Sequence, residues 1–177
     1  MKRTTLFILM SSLFLLGATP SFAQPRAGDS EVEVAAGFFH QQDSDSGSLN
    51  ADLSYGMYLD DRPEFGIRAA YYATYNDHAP DVWTATIAPF FDYNFTGYLD
   101  NHSVVPFVGA FVGAAFNDDD FDGTTGPEAG VKVFLNRNTY VGLRYRYEWF
   151  FTSLDVGDES SDGNHVLNVA LGYDWGS

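Results

Sequence analysis

Hydrophobic and polar residues alternate along most of this chain with a period of two, the signature of strands that have one apolar and one polar face. Between Thr139 and Thr152 the odd positions read Val141, Leu143, Tyr145, Tyr147, Trp149 and Phe151, while the even ones include Gly142, Arg144, Arg146 and Glu148. Near the end, His165, Leu167, Val169, Leu171, Tyr173 and Trp175 stand against Asn168, Gly172 and Asp174. Earlier, Val32, Val34, Ala36 and Phe38 alternate with Glu31, Glu33 and Gly37, and Leu49 to Met57 alternate with Asn50, Asp52, Ser54 and Gly56. Phe65 to Tyr75 set an apolar face against Glu64, Gly66, Arg68 and Thr74. Trp83 to Phe95 do so against Thr84, Thr86, Asp92 and Asn94, with Pro89 removing one ladder donor. Ala129 to Leu135 alternate with Glu128, Gly130, Lys132 and Phe134, whereas Val104 to Phe116 is apolar on both faces and its parity is ambiguous. Eight strands are predicted.

The eight strands close a sheet either with the apolar face inward, as in a lipocalin-like soluble ligand carrier, or with the apolar face outward in a membrane. Two features favour the membrane. The polar face is rich in Gly and carries both signs of charge: Arg68, Lys132, Arg144 and Arg146 are available to pair with Asp52, Glu64, Glu128 and Glu148 as a structural ion-pair network in the lumen. Aromatic residues gather near strand ends, at Tyr55 and Tyr58, Tyr71 and Tyr75, Trp83, Tyr93 and Phe95, Tyr147, Trp149 and Phe151, and Tyr173 and Trp175, as in the girdles at two bilayer interfaces. The predicted fold is all-β, a closed eight-stranded antiparallel up-and-down transmembrane β-barrel.

With the N-terminus in the periplasm, segments 41–47, 76–81, 117–126 and 152–163 are the outer loops, and 60–63, 96–103 and 136–138 the inner turns. The outer set holds Asp43, Asp45, Asp77, Asp81, Asp118, Asp119, Asp120, Asp122, Asp155, Asp158, Glu159 and Asp162, with no Lys or Arg. These acids solvate the barrel and are candidates for weak, collective divalent-cation binding beside an anionic lipopolysaccharide surface.

Composition narrows the classes further. The 177 residues are 45% hydrophobic and 17% aromatic with a net charge of -15 and no Cys. So many rings exclude a disordered acidic tail, the missing cysteines exclude zinc fingers and thiol chemistry, and the acid excess argues against a nucleic-acid partner. Lys2 and Arg3, the apolar run Leu6 to Leu16 and the small residues up to Ala23 read as a signal peptide over residues 1–23, leaving 24–177 as one barrel domain. That run is too short for a spanning helix, which takes roughly 20 apolar residues.

The signal peptide, the run PFVGAFVGAAF at 106–116, the strand EAGVKVFLN at 128–136 and the ending ALGYDW at 170–175 together resemble the small outer-membrane β-barrels of Gram-negative bacteria, the OmpA-like and OmpX-like transmembrane domains. The resemblance implies a monomer in the cell outer membrane, with membrane lipid and lipopolysaccharide as partners. Such families commonly end on an aromatic residue, whereas here Gly176 and Ser177 follow Trp175.

Signatures of chemistry are sparse. His40, His78, His102 and His165 share no metal spacing, and no catalytic or phosphate-loop motif or cofactor signature appears. Asp118, Asp120, Asp122 and Gly123 match the first half of a calcium loop, but its twelfth position is Ala129 where a bidentate Glu is needed. A lipid A-modifying enzyme needs a Ser/His/Glu site facing lipid, for which His165 with Glu159, Ser160 and Ser161 is the available set, without the His-x-Ser strand motif. The sequence therefore favours a structural or surface-interaction barrel that is neither an enzyme nor a wide porin, with the lipid-modifying enzyme and the soluble carrier as alternatives.

Overall fold

The computed structural model describes residues 24–40, 46–76, 79–99, 103–117, 121–151 and 163–176. The segment read as a signal peptide lies outside them, as do the acids of segments 41–45, 118–120 and 152–162, together with Asp77. Eight strands follow in order: β1 (Ser30–His40), β2 (Ser46–Tyr58), β3 (Pro63–Asn76), β4 (Ala79–Asn94), β5 (Val104–Phe116), β6 (Phe121–Phe134), β7 (Thr139–Phe151) and β8 (Asn164–Trp175). Each pairs antiparallel with its neighbour, and β1 pairs with β8, so the sheet closes on itself and leaves no edge. The β1–β8 seam runs from Ser30 opposite Trp175 to Ala36 opposite Val169.

Closure turns parity into two environments. In β8, Leu167, Val169, Leu171, Tyr173 and Trp175 are exposed on the outer wall, while Val166, Asn168, Ala170, Gly172 and Asp174 are buried inside. The same sorting holds along β1, β2, β3, β4, β6 and β7, with the apolar set outward in each. β5, unreadable from its composition, places Val105, Phe107, Phe111 and Ala115 inward and Val108, Ala110 and Val112 outward. The interior thus has an apolar wall on one side, built from β4 and β5 with Ala88, Phe90 and Phe111 in contact.

Three expectations need correction. The segment 117–126 is not all loop: β6 begins at Phe121, and residues 121–126 pair with 116–111 of β5. Its Gly, Thr and Asp content reads as a turn, but the partner strand claims those backbone groups, and the Phe116 and Phe121 rings meet edge to face at 5.2 Å at the hairpin end. Asp122 and Gly123, half of the apparent calcium motif, are therefore strand residues. Likewise β3 and β4 extend into segment 76–81 and leave only 77 and 78 between them. Finally Tyr58 is no girdle residue. It shares the parity of Asp52, Ser54 and Gly56 and is 2% exposed, inside the barrel.

The remaining ring clusters do lie on the outer wall near its ends. Trp175 contacts Tyr55 and stacks on Tyr173, Tyr71 stacks on Trp83, and Tyr147 packs against Trp149 and His165.

Candidate functional site in the barrel interior

All eight residues assigned from sequence to the lumen, Asp52, Glu64, Arg68, Glu128, Lys132, Arg144, Arg146 and Glu148, are buried on the inward face. Backbone register sets their heights. Lys132 lies opposite Gly142, and Arg144 lies opposite Gly130, so the two cations are one inward step apart on adjacent strands. The small partners leave room for the long side chains to cross the lumen rather than collide with a neighbour on the next strand. Gly56 does the same for Glu64, whose carboxylate fills the space a Cβ there would take.

The charges fall into three layers. Nearest the end that bears segments 59–62, 95–103 and 135–138, here the turn end, Lys132 Nζ donates to Glu31 Oε2 at 2.6 Å, to Glu64 Oε2 at 2.9 Å and to the Tyr58 hydroxyl at 2.8 Å. Tyr58 in turn donates to Glu31 at 2.7 Å, and the Tyr140 hydroxyl bonds Glu31 and Glu33. Asp174 lies opposite Glu31 across the seam. In the middle layer Arg68 grips Glu128 with both terminal nitrogens, at 2.8 and 3.3 Å, and its guanidinium sits 4.6 Å above the Phe90 ring. Arg144 donates to Glu33, lies 3.4 Å from Glu128 and 4.0 Å from Asp92, and covers Phe107. At the opposite, loop end, Arg146 pairs with Asp52 at 2.8 Å and Glu148 at 3.3 Å and donates to Tyr72, which donates to Glu148 at 2.7 Å. Asn168 also donates to Asp52 at 2.7 Å.

Sequence reasoning had half of the acids and none of the hydroxyls. Glu31, Glu33, Asp92 and Asp174 are buried as deeply as the eight, and Tyr58, Tyr72 and Tyr140 join the layers. The signal for the acids was present, since each lies on the polar parity of its strand. What the sequence does not show is which strands face one another across the lumen: β1, absent from the expected network, supplies partners to both Lys132 and Arg144.

The other candidates are not brought together. His165 lies on the outer wall with Nδ1 2.6 Å from the Tyr145 hydroxyl, while Glu159, Ser160 and Ser161 fall outside the described residues. Among the described residues no group of three or more His, Asp or Glu is arranged to hold a metal.

A closed barrel with bare apolar walls and ion pairs within is the inverse of a water-soluble protein, and defines a strand-built membrane protein. The chain belongs to the outer membrane protein beta-barrel domain family, whose model matches residues 9–174, and it is a protein of the cell outer membrane. It is similar in fold to the outer membrane protein OprG of Pseudomonas aeruginosa, at 12% identity over 89% of this chain and 100% of that one, with a TM-score of 0.59. Neisserial surface protein A is similar at 18% identity over 87% of this chain and 100% of that one, TM-score 0.58. The N-terminal barrel of Pseudomonas aeruginosa OprF is similar at 15% identity over 85% and 100%, TM-score 0.56. No curated protein sequence matches the chain.

Proposed function

We propose that this protein is a structural or surface-interaction barrel of the outer membrane whose lumen is filled by side chains, with no enzymatic activity and no wide diffusion pore. One observation carries the reading: all four inward cations are bonded to buried carboxylates reaching from other strands, at every level of the barrel. An eight-stranded barrel is only just wide enough for side chains to fill, so bridges that cross it leave no room for a wide aqueous path. A lipid-modifying site has no such support, because the His165 ring is engaged by Tyr145 and Tyr147.

Planar-bilayer recording tests this. The unmodified protein should show no large steady conductance, and Arg144→Ala should raise ion leakage and destabilise the barrel by about 3–5 kcal/mol by leaving the buried Glu33 without its cation. A large conductance in the unmodified protein, unchanged by Arg144→Ala or Glu128→Ala, refutes the filled lumen.

The partners follow from charge placement. The end that bears segments 59–62, 95–103 and 135–138 faces the periplasm in this reading, and the acidic loop end faces the lipopolysaccharide. With no Lys or Arg in the connecting segments of that end, contact with lipid phosphates runs through shared divalent cations. A chelator should therefore release lipopolysaccharide from the purified monomer, and retention unaffected by chelation contradicts the bridge.

A further inference from the structure

At the loop end the interior widens into a cavity of about 380 Å³, within the range of small-molecule pockets, whose polar lining includes Ser48, Asn50, Tyr72, Thr84, Glu148 and Asn164, with His165 also on the lining. Its floor is electrostatically unbalanced. Two carboxylates, Asp52 and Glu148, share the single Arg146 guanidinium, and Asp52 is further held by Asn168. Glu148 is the member that lines the cavity, although only 4% of it is exposed. Beside it the buried Asn50 Oδ1 has no hydrogen-bond partner. The lining therefore offers one carboxylate together with hydroxyl and amide groups that can accept, and no Lys or Arg; its one imidazole, His165, is engaged by the Tyr145 hydroxyl.

We propose that this loop-end cavity binds a small organic cation, a primary amine or a polyamine, with the Glu148 carboxylate as its counter-ion. An ammonium group brings three donors and one charge, which suits one carboxylate supplemented by amide and hydroxyl oxygens. A bare divalent metal is a poorer match, since calcium takes six to eight oxygen ligands and the described residues gather no such group. Access favours the same sign of charge. In the sequence, the segments that connect the strands at this end carry ten acidic residues and no Lys or Arg, and an excess of one sign of charge on that side of the barrel raises the local concentration of counter-ions.

Titration calorimetry of the refolded full barrel with spermidine, and separately with magnesium chloride, tests the site. Spermidine should bind near one per barrel. Glu148→Gln should weaken it about tenfold or more, the value of a charge-assisted hydrogen bond. Neutralising Asp118, Asp119 and Asp120 together should weaken it by less, and magnesium at equal concentration should not displace it. Thr84→Phe fills the cavity from the position opposite Tyr72 while retaining the Arg146, Tyr72 and Glu148 side chains, and it should abolish binding even where Glu148→Gln does not fold. Spermidine affinity unchanged in Glu148→Gln or in Thr84→Phe overturns the proposal. So does binding that magnesium displaces and that the triple loop variant alone removes, because the loops then hold the amine.

Discussion

The two ends of the lumen are built from one motif, a cation shared by two carboxylates and a tyrosine hydroxyl, yet they are closed to different degrees. At the turn end Lys132 is 0% exposed, and the Tyr58, Phe107 and Tyr140 rings lie 5.1 to 5.7 Å from its ammonium. Val105, Phe134 and Tyr140 form a fully buried cluster beside it. At the loop end Arg146 carries the same load, but its partner Glu148 borders a cavity rather than a ring. The contrast follows from side-chain chemistry. A lysine ammonium is a compact point charge whose three donors converge on Glu31, Glu64 and Tyr58, so aromatic faces can enclose it from the remaining sides. A guanidinium spreads its donors in a plane, and Arg146 spans from Asp52 to Tyr72 and Glu148 as a bar across the mouth. One end is a plug and the other a floor.

The largest expected difference lies in removing the two cations. Lys132→Ala strands Glu31 and Glu64 beside Asp174 in a fully buried site, and should cost about 3–5 kcal/mol. Arg146→Ala also strands two acids, but Glu148 can be rehydrated from the cavity, so the loss should be smaller. Urea titration of barrels refolded into lipid vesicles measures both. Lys132→Met keeps the apolar stem against Tyr58 and Phe107 while deleting the charge, and so separates lost packing from lost pairing. Equal losses for the Lys132 and Arg146 variants break the distinction between the ends.

Much of this arrangement was legible in the chain, and the rest was hidden for physical reasons. Alternation assigned the inward set wherever the two faces differ chemically, as in Glu128, Gly130 and Lys132 against Ala129, Val131 and Val133. It failed in β5, where Phe107 and Phe111 turn inward to pack under Arg144 and against Phe90, because apolar residues serve both an interior wall and a lipid face. Tyr58 misled for a related reason: a tyrosine fits a bilayer interface or a buried hydrogen bond equally well, and only its parity separates the two. Register across the lumen was beyond reach. Sequence spacing fixes which residues share a strand face, but shear and closure decide that Lys132 meets Glu31, and that Arg68 meets Glu128 instead of a nearer acid.

The finest comparison is between two hydroxyls. Tyr140 reaches Glu31 and Glu33 where Lys132 and Arg144 are already committed, and its ring fills the space that a Cβ at Gly172 would occupy. Tyr140→Phe keeps that ring in place and deletes only the hydroxyl, so the fully buried Glu31 and Glu33 lose the single O–H they share, at a cost of about 1–3 kcal/mol. Tyr72→Phe deletes the equivalent oxygen between Arg146 and Glu148. There Arg146 still stands 3.3 Å from Glu148, and the adjoining cavity admits a water to the vacated position, so the cost should stay near 1 kcal/mol or below. The pair can be read in the same urea titrations, with equal slopes confirming that neither variant changes the folded area. A Tyr72→Phe loss as large as that of Tyr140→Phe means the loop-end layer is as dry as the turn-end layer. The cavity beside Glu148 then does not exchange with solvent, and the two ends are one continuous plug.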